Sequence, residues 1–440
     1  MLNKSAIKTR MPFEAKLILV FIGIFTLMTH IFMHRTGVGT PTIRSDAEGY
    51  YAYLPAVFIH RDITMVKLAN SHYGGQMPLS TGIVKYGDSG KYFDKYALGE
   101  AIMQTPSFVI AHVLSRLNHY PTDGYSFFYQ FVIGITSGIY LLIGLFFLYK
   151  LLVKYFSSRV AIAALITVTF GTNLFHYTTY DGVFSHVYAF TLFAMFLYYT
   201  DLFYEKPKLK YSLCIGIIGA LIILVRNLNF YFLLFFPLYG IWSIDTLKDR
   251  GRFLWEHRMK LVYTFILFCI VLLPQFLYWK YITGEWFVSS YSNTNENFFF
   301  TDPKIKDVLF SPRKGLFFWA PVLLFSIPGF IFMFKKNIRN FLLPSILFLT
   351  IHTYFVASWW AWWFGGSFGH RAYTESSVIF AIAIACFYAS LKKDWLKVIV
   401  ASIAIFLILL CMVQTYQYWR GVLPGDGMTW RVYKMFFLKF

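Results

Sequence analysis

About eleven apolar runs, separated by gaps of which every second one is basic, constrain the fold of this 440-residue chain more than any other feature. A helix needs about 20 mostly apolar residues to cross a bilayer, and lipid offers its backbone no outside hydrogen-bond partner. The runs lie at roughly 17–33, 127–149, 160–178, 184–204, 211–226, 229–244, 261–282, 316–334, 341–358, 375–391 and 397–416. Charged residues are only 14% of the chain, against about 25% in soluble domains. The pattern predicts an all-α polytopic membrane protein of about eleven transmembrane helices. The two short runs around Arg226-Asn227 also suit one re-entrant hairpin.

The basic gaps set the orientation. Lys4, Lys8, Arg10 and Lys16 precede the first run, and no small-residue cleavage site follows it. That run reads as a retained helix with its basic end in the cytoplasm. The cytoplasmic gaps then hold Lys150, Lys154 and Arg159, then Lys206, Lys208 and Lys210. Lys248, Arg250, Arg252, Arg258 and Lys260 follow, then Lys335, Lys336 and Arg339, and finally Lys392, Lys393 and Lys397. Basic residues gather on the cytoplasmic side of membrane proteins. Residues 97–117 are apolar enough for a further span, but counting them would turn all five clusters outward. They are expected instead to lie along the outer interface, broken near Pro106. The outer side then carries a large first loop at 34–125, a second at 283–315 and a tail at 417–440.

The net charge of +19 belongs to these gaps, and with no Walker loop or zinc spacing it does not indicate nucleic acid. Cys214, Cys269, Cys386 and Cys411 lie inside apolar stretches and read as core residues.

Acids are scarce, at 21 Asp and Glu, so those on the outer side stand out. Ser45-Asp46-Ala47-Glu48-Gly49-Tyr50-Tyr51 opens the first loop. Ser45 and Glu48 have the spacing of a capping box, and both acids suit the positive end of a helix dipole. The box does not need Asp46. Lys95, before the interfacial segment, is placed to meet an anionic headgroup or to remain solvated. Asp181 and His186 flank Gly182 and are expected to face one cavity. They supply two ligands for a divalent cation, fewer than a protein metal site takes. Arg226 sits between two apolar runs and must be paired, hydrated or snorkelling. Arg313 and Lys314 precede another span, where phosphate binding and interfacial anchoring both fit. Trp359-Trp360-Ala361-Trp362-Trp363 leads through Gly365, Gly366 and Gly369 to His370 and Arg371. Such aromatic density exceeds an ordinary interfacial belt, and flat rings suit sugar C–H groups.

No acid or base falls clearly in the middle of a span, which counts against a pump or ion-coupled transporter. An outer-face site has no soluble nucleotide donors, so an activated donor there must be carried by lipid. A polyprenyl-phosphate sugar fits: its chain needs apolar helices, its phosphate cations, and its sugar aromatics. One carboxylate deprotonates the acceptor hydroxyl, and cations stabilise the leaving phosphate.

The combination resembles the GT-C superfamily of membrane glycosyltransferases, among them protein O-mannosyltransferases and aminoarabinose transferases. It is also similar to GT-C-like proteins of Bacteroidetes in Asp46-x-Glu48-Gly49-Tyr50-Tyr51, Ser185-His186-Val187-Tyr188 and Gly366-Ser367-Phe368-Gly369-x-Arg371. The resemblance implies a large first outer loop with interfacial helices and an acidic motif, here Asp46 and Glu48. Lys95, Asp181, His186, Arg226, Arg313, His370 and Arg371 are the expected substrate-binding residues. It implies an inverting transferase using a polyprenyl-phosphate sugar, with a lipid, glycan or protein as acceptor. The setting is the bacterial inner membrane, N-terminus in the cytoplasm and active site in the periplasm. The acids are separated by Ala47 rather than adjacent, and no large C-terminal soluble domain is expected. A lipid-linked oligosaccharide polymerase or ligase, and a lipid flippase, are the alternative readings.

Overall fold

A computed structural model describes residues 11–288, 296–335 and 337–439. Lys4, Lys8, Arg10, Lys336 and the 289–295 stretch of the second loop lie outside the described residues.

Six described helices are long and apolar enough to cross a membrane: Phe13–Thr36, Phe127–Leu152, His186–Glu205, Arg258–Thr283, Ile338–Ser358 and Asp394–Trp419. Five shorter apolar helices, Ser158–Phe170, Leu209–Val225, Asn227–Leu238, Pro321–Phe334 and Ser377–Ser390, fill the remaining predicted spans. Their burial follows their composition. Ser377–Ser390 is apolar all round and buried continuously from Ser377 to Cys386, as such a helix must be. Arg258–Thr283 and Asp394–Trp419 have only 11% of their most apolar windows buried and present the rest outward.

The two short runs around Arg226 are separate crossings, not one re-entrant hairpin. Arg226 lies beside His186 at the start of the His186–Glu205 helix, whereas Tyr239 reaches Asp201 near its end. Residues Asn227–Leu234 form a 3₁₀ helix, which rises about 2.0 Å per residue against 1.5 Å for an α-helix. Few residues therefore cover the distance.

The first loop folds over the outer end as Asp46–Leu54, Val66–His72, an antiparallel pair Ile83–Lys85 with Tyr92–Asp94, and Gly99–Leu117. The last helix departs from expectation. It continues through Pro106 rather than breaking there, and it runs antiparallel to the first half of Phe127–Leu152. Tyr140 donates to the Met103 carbonyl at 2.7 Å, and His112 Nδ1 lies 2.6 Å from the Tyr129 hydroxyl. Gln104, buried on the same face, donates to Tyr188 at 3.1 Å. Pro106 is on the exposed face, so the ring removes one outward hydrogen bond without breaking the packed side.

The capping box does not form. Ser45 has φ 53° and ψ −131°, and its side chain makes no cap bond. Both acids still occupy the first turn of Asp46–Leu54, where the dipole favours them.

Candidate active site

Asp46 and Arg371, separated by 325 residues, meet at 3.0 Å between Oδ2 and Nη1. Their side chains are 25% and 17% exposed, so the pair is accessible without being open. Two glycines permit the approach. A Cβ at Gly49 would lie 2.4 Å from the Thr81 carbonyl and from Tyr96, so only glycine lets the helix of Asp46 settle there. Gly369 has φ 60°, a left-handed turn that aims Arg371 inward. Burial disfavours the Arg371 charge, but Asp46, Tyr177, Tyr96 and Tyr50 together hold its pKa above the usual value.

Glu48 does not join them. Two positions on in a helix is about 200° of rotation. Its charge bears instead on Tyr73 and Tyr125, and burial pushes its carboxyl up to about 7.

Beside the ion pair lies a cavity of about 380 Å³. Its lining combines polar Tyr50, Lys95, Arg226 and Asn227 with apolar Phe230, Phe298, Phe355 and Trp359. Tyr50, in its lining, feels the charge of Asp46. Phe364 lines the cavity and lies 5.7 Å from the Arg371 guanidinium. Lys95 is 3.6 Å from Glu296 on the second loop. Arg226 Nε is 3.2 Å from Glu375, which also holds His186 at 3.1 Å and accepts from Asn229 at 3.2 Å. The arginine between two spans is thus paired, which removes its cost.

The fold draws the remaining expected residues elsewhere. Asp181 is not beside His186; it bonds Arg44 at 2.8 Å and His176 at 3.0 Å. Burial raises the Asp181 carboxyl, but His176 and Arg44 outweigh it and hold it at about 2. Arg44 directly precedes Ser45, so this pair tethers the turn that carries Asp46. Arg313 grips Asp426 through Nε at 2.9 Å and Nη2 at 3.1 Å and stacks 3.5 Å over Trp363. It braces the second loop against the tail. His370 is buried against Tyr373 and Phe364. Burial, then the charges of His352, Lys314 and Arg371, push it down to about 3, so it stays neutral. Among the described residues, no group of three or more His, Cys, Asp and Glu is placed to hold a metal ion.

One functional candidate, Glu375, was missed, and Lys314 takes a different role from the expected one. Glu375 heads an apolar run and passes for a flanking acid. The signal was its isolation: it is the one acid between Asp307 and Asp394, four positions beyond Arg371. Lys314, only 2% exposed, donates to the Ser367 carbonyl and, at 2.7 Å, to that of Gly425. Burial lowers its pKa to about 7. It fixes the base of the turn carrying Arg371.

No protein-family model matches the chain, and no curated protein matches it by sequence. Solved structures of the oligosaccharyltransferase AglB of Archaeoglobus fulgidus do resemble it. One, in complex with an inhibitory peptide and a dolichol-phosphate, gives a TM-score of 0.52 at 12% identity, covering 97% of this chain and 60% of that one. The apo form gives 0.52 at 12% identity, covering 94% and 56%. This chain therefore spans less than two thirds of the AglB chains. The likeness extends over nearly all of it and shows a GT-C-like fold.

Proposed function

We propose that the protein is an inverting glycosyltransferase that moves a sugar from a polyprenyl-phosphate donor to a hydroxyl acceptor at the first-loop face of the membrane. The observation that carries this reading is the contact of Asp46 with Arg371 beside a cavity lined by two cations and by aromatic rings. The dolichol-phosphate and peptide bound in the AglB complex support a lipid-phosphate donor and a peptide or glycan acceptor.

Each residue then has a task. The prenyl chain lies along Phe230, Phe298 and Phe355. Arg226 and Lys95 face the phosphate, with Glu375 and Glu296 fixing their positions. Tyr50, Trp359 and Phe364 bracket the sugar. Arg371 holds the Asp46 carboxylate at 3.0 Å and fixes its rotamer. The acceptor oxygen bonds the anomeric carbon as its proton passes to the Asp46 carboxylate. The bond from that carbon to the phosphate oxygen breaks, its electron pair stays with the phosphate, and the guanidinium and ammonium groups stabilise the new charge. A single displacement inverts the anomeric centre, as in inverting glycosidases. Cavities of a few hundred Å³ suit small ligands, which fits one sugar better than a long glycan. The likeness to an oligosaccharyltransferase fold nevertheless favours testing lipid-linked oligosaccharides beside monosaccharide donors. The cellular setting proposed is the bacterial inner membrane with this face in the periplasm.

The test is transfer from defined polyprenyl-phosphate sugars by the protein in nanodiscs, with the anomeric configuration of the product determined by NMR. Inversion is expected. Retention of configuration overturns the single displacement, and movement of the lipid across the bilayer without transfer supports a flippase instead.

A further inference from the structure

At the end of the bundle opposite the cavity, the helix Ile244–Glu256 has no buried residue. It is nonetheless firmly built. Ser243 and Thr246 close a reciprocal capping box at its start, which fixes the first turn. One side of it rests on the bundle: Phe253 lies 5.1 Å from the Tyr204 ring, and the Arg250 guanidinium sits 3.6 Å over that ring.

The other sides are separated by character. At about 100° per residue, Ile244, Leu247 and Trp255 share a stripe, and they are 73%, 54% and 69% exposed. Asp249 and Arg252 lie on another side, with side chains 71% and 73% exposed. The chain leaves the bundle after Asn227–Leu238 and re-enters it in Arg258–Thr283, so this helix of about 20 Å bridges two spans on one side of the membrane. Three exposed tryptophans mark the same end, each near a cation. Arg339 lies 3.8 Å over Trp242, Arg258 4.9 Å from Trp255, and Lys393 5.9 Å from Trp395. Tryptophan with arginine or lysine is the composition of the headgroup layer. Lys248 borders the stripe, whereas Arg252 shares the other side with Asp245, Asp249 and Glu256; the positive excess of this end comes from Arg258 and Lys260 after the helix and from Lys206, Lys208 and Lys210 beside it.

We propose that Ile244–Glu256 lies in the plane of the membrane, with its apolar stripe at the acyl boundary and the cations around it on the phosphates of anionic phospholipids. Charge complementarity identifies the occupant as a lipid surface rather than a second protein.

The experiment places a nitroxide at Trp255→Cys or at Asp249→Cys, in a chain carrying Cys214→Ala and Cys269→Ala. Cys386 and Cys411 are buried and stay unlabelled. The protein is reconstituted in nanodiscs of mixed phosphatidylglycerol and phosphatidylcholine, and circular dichroism verifies the fold. At 255 the label should collide with oxygen more than with a water-soluble nickel chelate, and at 249 the reverse. Replacing phosphatidylglycerol by phosphatidylcholine should raise nickel collisions at 255 several-fold. Nickel dominance at 255 in both bilayers overturns the membrane placement. Shielding from both reagents points to a protein partner and overturns it equally. Indifference to headgroup charge overturns the anionic partner.

Discussion

At the first-loop end, Asp46 meets Arg371 with a quarter of its side chain exposed, beside a cavity of about 380 Å³. At the opposite end, Asp201 is 3% exposed and enclosed by Lys154, Tyr155 and Tyr239, with Glu205 taking a second bond from Lys154 at 2.7 Å. Both ends pair a carboxylate with a cation. Asp201 has every approach filled by a donor and joins three segments of the bundle, so it acts as a staple. The first-loop end leaves its pairs partly open, and Lys95 and Glu296 remain 3.6 Å apart. Burial with a charge partner therefore does not identify a reactive group by itself; adjoining space does.

Substitutions should separate the two ends. The largest effect is expected from Asp201→Ala, which leaves Lys154 and two tyrosines facing an empty site. It should lower stability by about 3–5 kcal/mol in thermal unfolding, while turnover per folded molecule stays near wild type. Arg371→Ala should do the converse. Transfer should fall about 10²–10³-fold, the scale of losing one charge-stabilising donor, with a smaller change in melting temperature. Equal losses of both would make Arg371 another staple.

Smaller effects sharpen the contrast. Glu48 holds its proton more tightly when folded, with a pKa of about 7 against an ordinary 4.5. Its contribution to stability is complete below 4.5 and is lost as pH rises through 7. Glu48→Gln should flatten that decline, gaining about 1 kcal/mol or less above neutrality once solvent screening is allowed for. Melting curves across that window check it. Arg313→Ala should cost the least, about 0–1 kcal/mol for an ion pair open to solvent, with unchanged transfer.

The spans were legible because lipid imposes one rule, long apolar runs, that the sequence must display. The meeting of Asp46 with Arg371 was legible for a related reason: a charge next to a span has few destinations, and both turns lay on one side. What failed depended on local geometry. Ser45 has the spacing of a cap, but its positive φ turns its side chain away. Asp181 and His186 are five apart, yet Arg44 and Glu375 draw them into separate networks. Glu375 was hidden because its partner Asn229 lies 146 residues away and His186 189 away, and no periodicity links them. The helix through Pro106 stayed whole because its packed face, not its proline, decides its course.

The most direct measurement compares sugar transfer by wild type and Asp46→Asn from the same polyprenyl-phosphate donor in nanodiscs, with melting curves on both. Loss of the base should lower turnover about 10²–10⁴-fold while the melting temperature moves little. Wild-type turnover in a folded Asp46→Asn protein would contradict a catalytic Asp46 and, with it, this assignment of the first-loop site.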